Sequence, residues 1–372
     1  MADIADIVHM ARALDLARRG LYTTSPNPRV GCVLVRHGKV IGEGYHARAG
    51  EPHAEVCAIA DALARGESAD GATAYVSLEP CNHQGRTAPC THALVDARIS
   101  RVVVAMPDPN PVAAHGAAYL RERGISVVIG VMNDEARALN RGFVSRFERG
   151  RPWVRMKVAS SLDGRTALAT GQSQWITGAE ARADGHHWRA QACAILTGIG
   201  TIRTDDPQLT VRAVETTRQP QRIIVDRQAE TPVHAKVLDA GAVMVVTSGA
   251  RNDAWPAHVE HLMLPDAEGR VNLRALFEKL ARRGTNEVHV EAGAGLNGAL
   301  LHAGLVDELV MYLAPCLLGD PARGIAQFAS GLGTLDERIF LDVQGIDRLG
   351  SDLRLIANVI AHGRSATQGA AV

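Results

Sequence analysis

Short apolar runs of extended type alternate with stretches carrying apolar residues at helical spacing, an order that restricts this chain to helices packed on a sheet. Ile4, Ile7, Val8, Ala11 and Leu14 mark an opening helix. Strands are expected at 30–36 and 39–44 across a turn at His37 and Gly38, then a helix at 54–65 and a strand at 73–78. A helix from Cys90, a strand at 102–105, a helix to Arg123 and a strand at 125–131 continue the pattern, which predicts a mostly parallel sheet. The stretch 141–152 (RGFVSRFERGRP) breaks it with charge, glycine and proline, so a domain boundary is expected there, at 146/147. At 372 residues the chain exceeds what one core usually fills, and a second α/β region follows. Its strands are expected at 153–159, 194–199, 222–226, 242–247, 287–291, 308–314 and 353–360, with helices at 179–191, 272–283 and 297–302. Residues 362–372 read as a flexible tail, and no repeat relates the halves.

Charge narrows the partners. Lysine plus arginine and aspartate plus glutamate number 40 each, so no net field gathers a nucleic acid. A local arginine pair is still enough to hold a phosphate. No run of about 18 apolar residues is present, so neither export nor a membrane span is expected. The six cysteines, at 32, 57, 81, 90, 193 and 316, do not read as a secreted disulfide framework, and reduced thiols in the cytoplasm fit better.

Two of those cysteines fall in a chemical pattern. His53-Ala54-Glu55 opens a helix, and Pro80-Cys81 and Cys90 follow downstream. One imidazole and two thiolates suit zinc, and three protein ligands leave the fourth tetrahedral position for water. Glu55, two residues from a ligand, reaches that position without binding metal and can carry the proton. Zinc nucleobase deaminases carry H-x-E with P-C-x-x-C; here eight residues separate the cysteines, so segment 82–89 must loop out and return Cys90 at a helix start. The alternative is a closed structural site completed by Cys57, four residues after His53 on the same helix face, which would leave Glu55 and Pro80 without a role.

Longer strings carry a resemblance over both halves, to about Ile360. They are Pro26-Asn27-Pro28 with Val30-Gly31, GEGYH at 42–46, AGEPHAE at 49–55, LEPC at 78–81 and GRT at 85–87, then SLDGRTA at 161–167, SQWIT at 173–177, DDPQLTVR at 205–212 and VEAG at 290–293. The chain resembles the bifunctional diaminohydroxyphosphoribosylaminopyrimidine deaminase and 5-amino-6-(5-phosphoribosylamino)uracil reductase family of riboflavin biosynthesis. The resemblance implies a cytidine-deaminase-like three-layer α/β domain at 1–146 and a dihydrofolate-reductase-like domain at 147–361. It implies hydrolytic deamination of 2,5-diamino-6-ribosylamino-4(3H)-pyrimidinone 5′-phosphate, then NADPH-dependent reduction of the ribosyl to a ribityl side chain. His53, Cys81 and Cys90 would bind Zn2+, Glu55 would shuttle protons, and Asn27, His83 and Arg86 would contact substrate. For Asn27 the competing reading is a turn residue bonded to its own backbone. The competing function is a nucleoside or tRNA deaminase with an accessory nucleotide-binding domain, against which the balanced charge weighs. A third is a noncatalytic NADP-binding protein with structural zinc, which leaves Glu55 idle. A homo-oligomer is expected.

In the second half Gly293, Gly295 and Gly298 form G-x-G-x-x-G, but too late in the domain for a Rossmann fingerprint. By the resemblance Ala159, Trp175, Thr201, Asp205 and the run Gly293, Ala294, Gly295, Leu296, Asn297, Gly298 and Ala299 contact NADPH, while Ser173, Arg189, Leu209, Arg212 and Glu291 contact substrate. Arg189 and Arg212 suit a phosphate clamp, and Lys157 and Asp205 are candidates for charge and proton management. One departure stands out: where the family carries serine after the aspartate, this chain reads Asp226-Arg227, and Arg227 is expected to take over the cofactor's 2′-phosphate.

Overall fold

Along β1 (Gly31–Arg36) successive side chains enter different cores: Val33 and Val35 join one apolar cluster, Cys32 and Leu34 another. That period of two, in a strand buried on both faces, sets the architecture around it. The computed structural model describes residues 3–83, 88–329 and 331–360, and the chain divides into two compact units, Met1–Gly150 and Arg151–Val372. The tail at 362–372 and the GRT string lie outside the described residues.

In the first unit β2 (Lys39–Tyr45), β3 (Thr73–Leu78), β4 (Arg101–Met106) and β5 (Ser126–Ile129) complete a sheet in the order β2-β1-β3-β4-β5. β1 runs antiparallel to both neighbours while β3, β4 and β5 are parallel, so the sheet is mixed rather than mostly parallel. A tight hairpin can only return the chain antiparallel. One face is covered by α1 (Ile4–Arg18), α5 (Asn133–Leu139) and α6 (Arg141–Arg149) around Met10, Leu14, Ala136 and Phe143. The other carries α2 (Ala54–Ala64), α3 (Cys90–Asp96) and α4 (Gly116–Glu122) around Ala58, Leu94 and Leu120. Three layers result. The break predicted at 141–152 is largely α6: Phe143 and Val144 are buried and Phe147 packs on the same core, so dense charge concealed a helical period. Gly150, at φ 67°, ends that helix, and the first unit runs on to it.

The second unit is built on a sheet of order β11-β10-β9-β8-β12-β6-β13-β16-β15. Its parallel part comprises β6 (Trp153–Ser161), β8 (Ala194–Gly198), β9 (Gln221–Val225), β10 (Val243–Thr247), β11 (Glu260–Met263), β12 (Glu287–Val290) and β13 (Glu308–Ala314). An antiparallel hairpin of β15 (Phe340–Leu349) and β16 (Asp352–Ile360) is added beside β13. The sheet packs against α7 (Ala179–Gln191), α8 (Ile199–Asp205), α9 (Leu273–Arg282) and α10 (Ala294–His302), and a small ribbon joins β7 (Arg165–Ala167) to β14 (Arg323–Gly324). Sequence reading missed β15 because a register shift between Val343 and Gly345 breaks its alternation, and missed β11, α8 and the ribbon because each is short. No helix among the described residues is long and apolar enough to cross a membrane.

Candidate active sites

Glycine lets the first site assemble. A Cβ on Gly44 of β2 would stand 2.4 Å from Ala58 N and 2.5 Å from Ala54 O, so α2 lies directly on the strand and its N-cap residue His53 is held there. Across the site Glu79 fastens the loop before Cys81, its carboxylate accepting from Ala117 N at 2.9 Å and Asp108 N at 3.1 Å. Cys90 opens α3, and its amide donates to Cys81 Sγ at 3.4 Å. His53 Nδ1 ends 3.1 Å from Cys90 Sγ and 3.6 Å from Cys81 Sγ, and the three ligand atoms lie within 4.8 Å of one another. Ligands on a tetrahedral zinc stand roughly 3.5–3.8 Å apart, so this set fits the ion with little movement. No other group of His, Cys, Asp or Glu converges this way among the described residues.

Electrostatics agree with a cation site. The Cys81 thiol is held far below the ordinary range by its hydrogen bond with Cys90, and the same bond together with burial pushes Cys90 up. Two sulfurs competing for one proton are both relieved by a metal ion. Cys57 is not among the ligands: its sulfur is directed at Pro52 O, 3.8 Å away, and its Cβ faces Gly44. The three-ligand geometry therefore has no fourth protein ligand among the described residues.

Glu55 is 2% exposed, and its Oε2 is buried without a hydrogen-bond partner among the described residues. Burial, reinforced by the charge of Cys81, pushes its carboxyl up to about 7. Asn27 Nδ2 donates to His46 Nε2 at 3.0 Å, because His46 Nδ1 is committed to Pro52 O at 3.1 Å. The His46 ring meets that of His53 edge-on at 5.2 Å. Sequence reading quoted His46 inside GEGYH without assigning it this bracing position. His83 Nδ1 is buried without a partner among the described residues, and Arg86 lies outside them.

The second unit contains a cavity of about 1220 Å³ at the carboxyl ends of β6, β8, β9 and β12, where open parallel sheets place their ligands. Gly293, Ala294, Gly295 and Leu296 line it as α10 begins, and the N-cap Gly293 supplies no side-chain cap to the first-turn N–H groups. A Cβ on Gly295 would meet nothing within 4 Å, and one on Gly293 only Thr201 Oγ1 at 4.0 Å, so a phosphate can approach the backbone closely. The rest of the run serves packing. Asn297 is buried with Nδ2 bonded to Ile325 O at 3.0 Å, a Cβ on Gly298 would fall 1.9 Å from Gln327 O, and Ala299 does not line the cavity.

Ala159, Trp175, Thr201 and Asp205 also line the cavity, and Asp205 accepts from Ser173 Oγ at 3.1 Å. Trp175 is 70% exposed with the Arg182 guanidinium 4.7 Å above its ring. Alternation on β6 puts Arg155 and Lys157 on one face, with opposite fates. Arg155 is buried between Glu308 at 2.5 Å and Glu287 at 3.5 Å, whereas Lys157 faces the cavity, its pKa lowered by burial against the pull of Glu291.

The predicted arginine clamp is divided by the fold. Arg189 Nε and Nη2 grip Glu291 at 2.5 and 2.9 Å and Nη1 donates to Thr210 O, so its fork is already spent and holds the Glu291 carboxylate well below its usual range. Arg212 bonds within its own loop, to Gln208 and Thr210, beside His186, whose pKa burial lowers to about 4. Leu209 lines the cavity from the apolar core at φ 51°. Arg227 does not line it: its Nη2 is 3.8 Å from the Cβ position of Gly269, and Glu230 pairs with Arg203 at 3.0 Å instead. Sequence reading missed the lining residues His186 of α7, Lys236, Arg323 of β14 and Gln327, none of which a motif marked.

Comparison with known proteins gives one pattern. Residues 4–106 match the cytidine and deoxycytidylate deaminase zinc-binding region, and residues 152–353 match the RibD C-terminal domain. The chain is 48% identical over 364 residues to the riboflavin biosynthesis protein RibD of Escherichia coli (strain K12), covering 94% of this chain and 98% of the relative. The RibD of Haemophilus influenzae is 45% identical over 365 residues, covering 94% and 96%. Among solved structures, Acinetobacter baumannii RibD superposes with a TM-score of 0.89 at 45% identity, covering 96% of this chain and 99% of that one. A diaminohydroxyphosphoribosylaminopyrimidine deaminase/5-amino-6-(5-phosphoribosylamino)uracil reductase from Thermotoga maritima gives 0.87 at 34% identity, with the same coverage.

Proposed function

The chain belongs to the RibD family of bifunctional riboflavin-biosynthesis enzymes, a zinc deaminase joined to an NADPH-dependent reductase, and from that premise we propose which residues carry each reaction. The deaminase is assigned to the first unit, through Gly150, and the reductase to the second, from Arg151. The substrate is the phosphorylated diaminopyrimidine on which the Thermotoga relative is named as acting.

Zinc held by His53, Cys81 and Cys90 supplies the Lewis acidity that makes water nucleophilic near neutral pH. Glu55 does the proton work: it takes a proton from the attacking water and delivers it to the ring nitrogen, then takes the proton of the added hydroxyl as the carbonyl forms and delivers it to the amine, which leaves as ammonia. Its unpartnered Oε2, buried beside the ligands, is the observation that carries this reading. Asn27, oriented through His46, and His83 hold the pyrimidine, with Arg86 at its phosphate.

In the reductase NADPH supplies hydride, and the first turn of α10 with Thr201 receives its phosphates. Lys157 faces the cavity as a proton-managing amine whose pKa burial lowers, Glu291 is held ionised by Arg189, and Asp205 is aligned by Ser173. Arg212 remains for the substrate phosphate, and Arg227 is assigned to the cofactor's 2′-phosphate from outside the cavity wall. Supplying the diaminopyrimidine phosphate with and without NADPH, and identifying the products by mass, tests both halves. A deaminated ribosyl product without NADPH and its ribityl counterpart with NADPH are expected; a single product in both cases would refute the scheme.

We further assign the working form as a homo-oligomer in the cytoplasm, where the thiols of Cys81 and Cys90 stay reduced. Leu341, Val343 and Ile346 of β15 pair with Val359, Ala357 and Leu355, so all six share one sheet face, and the first three are 40%, 50% and 62% exposed. An apolar stripe of this kind on an outer strand supports a second copy as its cover.

A further inference from the structure

Among the arginines of the reductase cavity, Arg323 stands apart, and the cavity's lysines Lys157 and Lys236 are engaged, the first over the Tyr312 ring at 5.7 Å. Lys236 pairs with Asp206 at 3.2 Å, Arg182 donates to Thr177 O, Arg189 is spent on Glu291, and Arg212 bonds within its loop. Arg323 lines the cavity, yet its guanidinium makes no hydrogen bond or ion pair among the described residues. Its backbone is nevertheless fixed. Arg323 pairs with Ala167 in the ribbon, Thr166 Oγ1 donates to the carbonyls of Arg323 and Gly324 at 3.4 and 3.2 Å, and Asp163 holds the preceding loop by accepting from Leu318 N and Gly319 N. Arg165 adds an ion pair to Asp320. A long cationic side chain thus extends unpartnered from an anchored base, and the anchoring reduces the ordering cost of a ligand contact.

Helix α8 relates that cation to the phosphate cradle. Thr204 Cγ2 and Arg323 Nη2 lie 3.8 and 3.4 Å from the same point, the Cβ position of Gly171. One turn earlier on α8, Thr201 Oγ1 lies 4.0 Å from the Cβ position of Gly293, the N-cap of α10. Residues three apart on a helix are neighbours on one face, so the guanidinium and the first turn of α10 both border the cavity beside successive turns of α8. Linked phosphates lying along α8 would meet the backbone N–H groups at one end and the guanidinium fork at the other. On the far side Gln327 N donates to Ala294 O at 2.9 Å, tying the segment that follows Arg323 to the start of α10.

We propose that Arg323 binds the cofactor's pyrophosphate, closing over it from the β7–β14 ribbon opposite the α10 N-terminus. This rests on the reading that the cavity holds a nicotinamide dinucleotide. A phosphate reaching Arg323 could belong to the pyrophosphate, to the 2′-position of NADPH or to the pyrimidine substrate, and calorimetric binding to the intact zinc enzyme separates the three. Both NADPH and NADH carry the pyrophosphate, so Arg323→Ala should weaken both by the same factor, about ten- to a hundredfold for a charge-assisted contact, while binding of the deaminated pyrimidine phosphate stays within about twofold. Arg323→Lys should recover part of the loss, since it keeps the charge without the fork. Arg323→Gln, similar in size, checks that any loss is not one of folding, with unliganded melting as its readout. Loss of NADPH binding alone, loss of pyrimidine binding alone, or no change in either would each overturn the proposal. Failure of the unaltered enzyme to bind either dinucleotide would instead overturn the cavity reading beneath it.

Discussion

Glu55 and Cys57 occupy the same turn of α2, and the structure gives them opposite places. Glu55 presents an unpartnered carboxylate oxygen beside the ligand cluster, while Cys57 turns toward Gly44 and Pro52. Glu55→Gln should therefore keep its zinc and lose deamination by about 10²–10⁴-fold, the usual scale for a proton-transfer residue. Reduction of separately supplied deaminated substrate should stay near normal; equal loss of both activities in parallel assays would contradict the two-site assignment. Cys57→Ser should retain metal and deaminase activity alike, which elemental analysis of the purified variant checks, and substantial metal loss would restore the closed-site alternative. Arg227 is the residue whose expected role gained least from the fold, because its guanidinium lies toward Gly269. If it grips the 2′-phosphate, Arg227→Ala weakens NADPH use about tenfold and leaves NADH use almost unchanged. Steady-state reductase kinetics with each cofactor decide, and equal effects, or none, would end that assignment.

At the scale of elements, α1 is tied to the sheet by a carboxylate. Asp6 is buried, Arg101 of β4 reaches it with Nη1 at 2.8 Å and Nη2 at 2.7 Å, and Tyr75 Oη of β3 donates to it at 3.0 Å. Hydrogen bonding to Arg101 lowers the Asp6 pKa despite burial. A depressed folded-state value means the stabilisation is present above the unfolded carboxylate range near pH 4 and disappears as pH falls through the folded value. Asp6→Asn should accordingly destabilise the first unit by about 1–3 kcal/mol at neutral pH, with the difference from the parent shrinking below about pH 4. Denaturant melts across pH test this; a difference that does not change with pH would show that packing, not the ion pair, holds α1. The elements that sequence patterning missed share physical causes. In α6 five of nine residues are charged or glycine and mask the apolar period, and in β15 the bulge moves the apolar residues out of simple alternation while keeping them on one face.

For the whole molecule, the exposed apolar residues of the edge strand β15 bear on assembly. Ile346, at 62% the most exposed of the three, is the position at which a charge would most disturb an association between copies. If copies associate through this edge as proposed, Ile346→Asp should leave a monomer in sedimentation experiments at micromolar concentration, with both activities measurable in the monomer if each site is complete within one chain. A parent chain that sediments as a monomer under those conditions would refute this surface as the contact.

The sequence alone determined that His53, Cys81 and Cys90 converge, because the motif residues also set where the chain must turn. His53 and Glu55 lie at a helix start, Cys90 opens the next helix, and the glycines of GEGYH allow α2 to lie on β2. The strand and helix alternation of both halves was legible for the same reason, local periodicity being a property of the chain. Only the tertiary structure decided how charges are shared. Arg189 and Glu291 are 102 residues apart and their pairing depends on α7 crossing above β12, so no local pattern could show that a predicted phosphate ligand is already committed. Likewise Arg155 and Lys157 share a face of β6, and the acids brought by β12 and β13 neutralise the one while the cavity exposes the other. Long-range packing made that choice, since burial requires a charge to find a partner and chain contacts far apart in sequence decide which charges do.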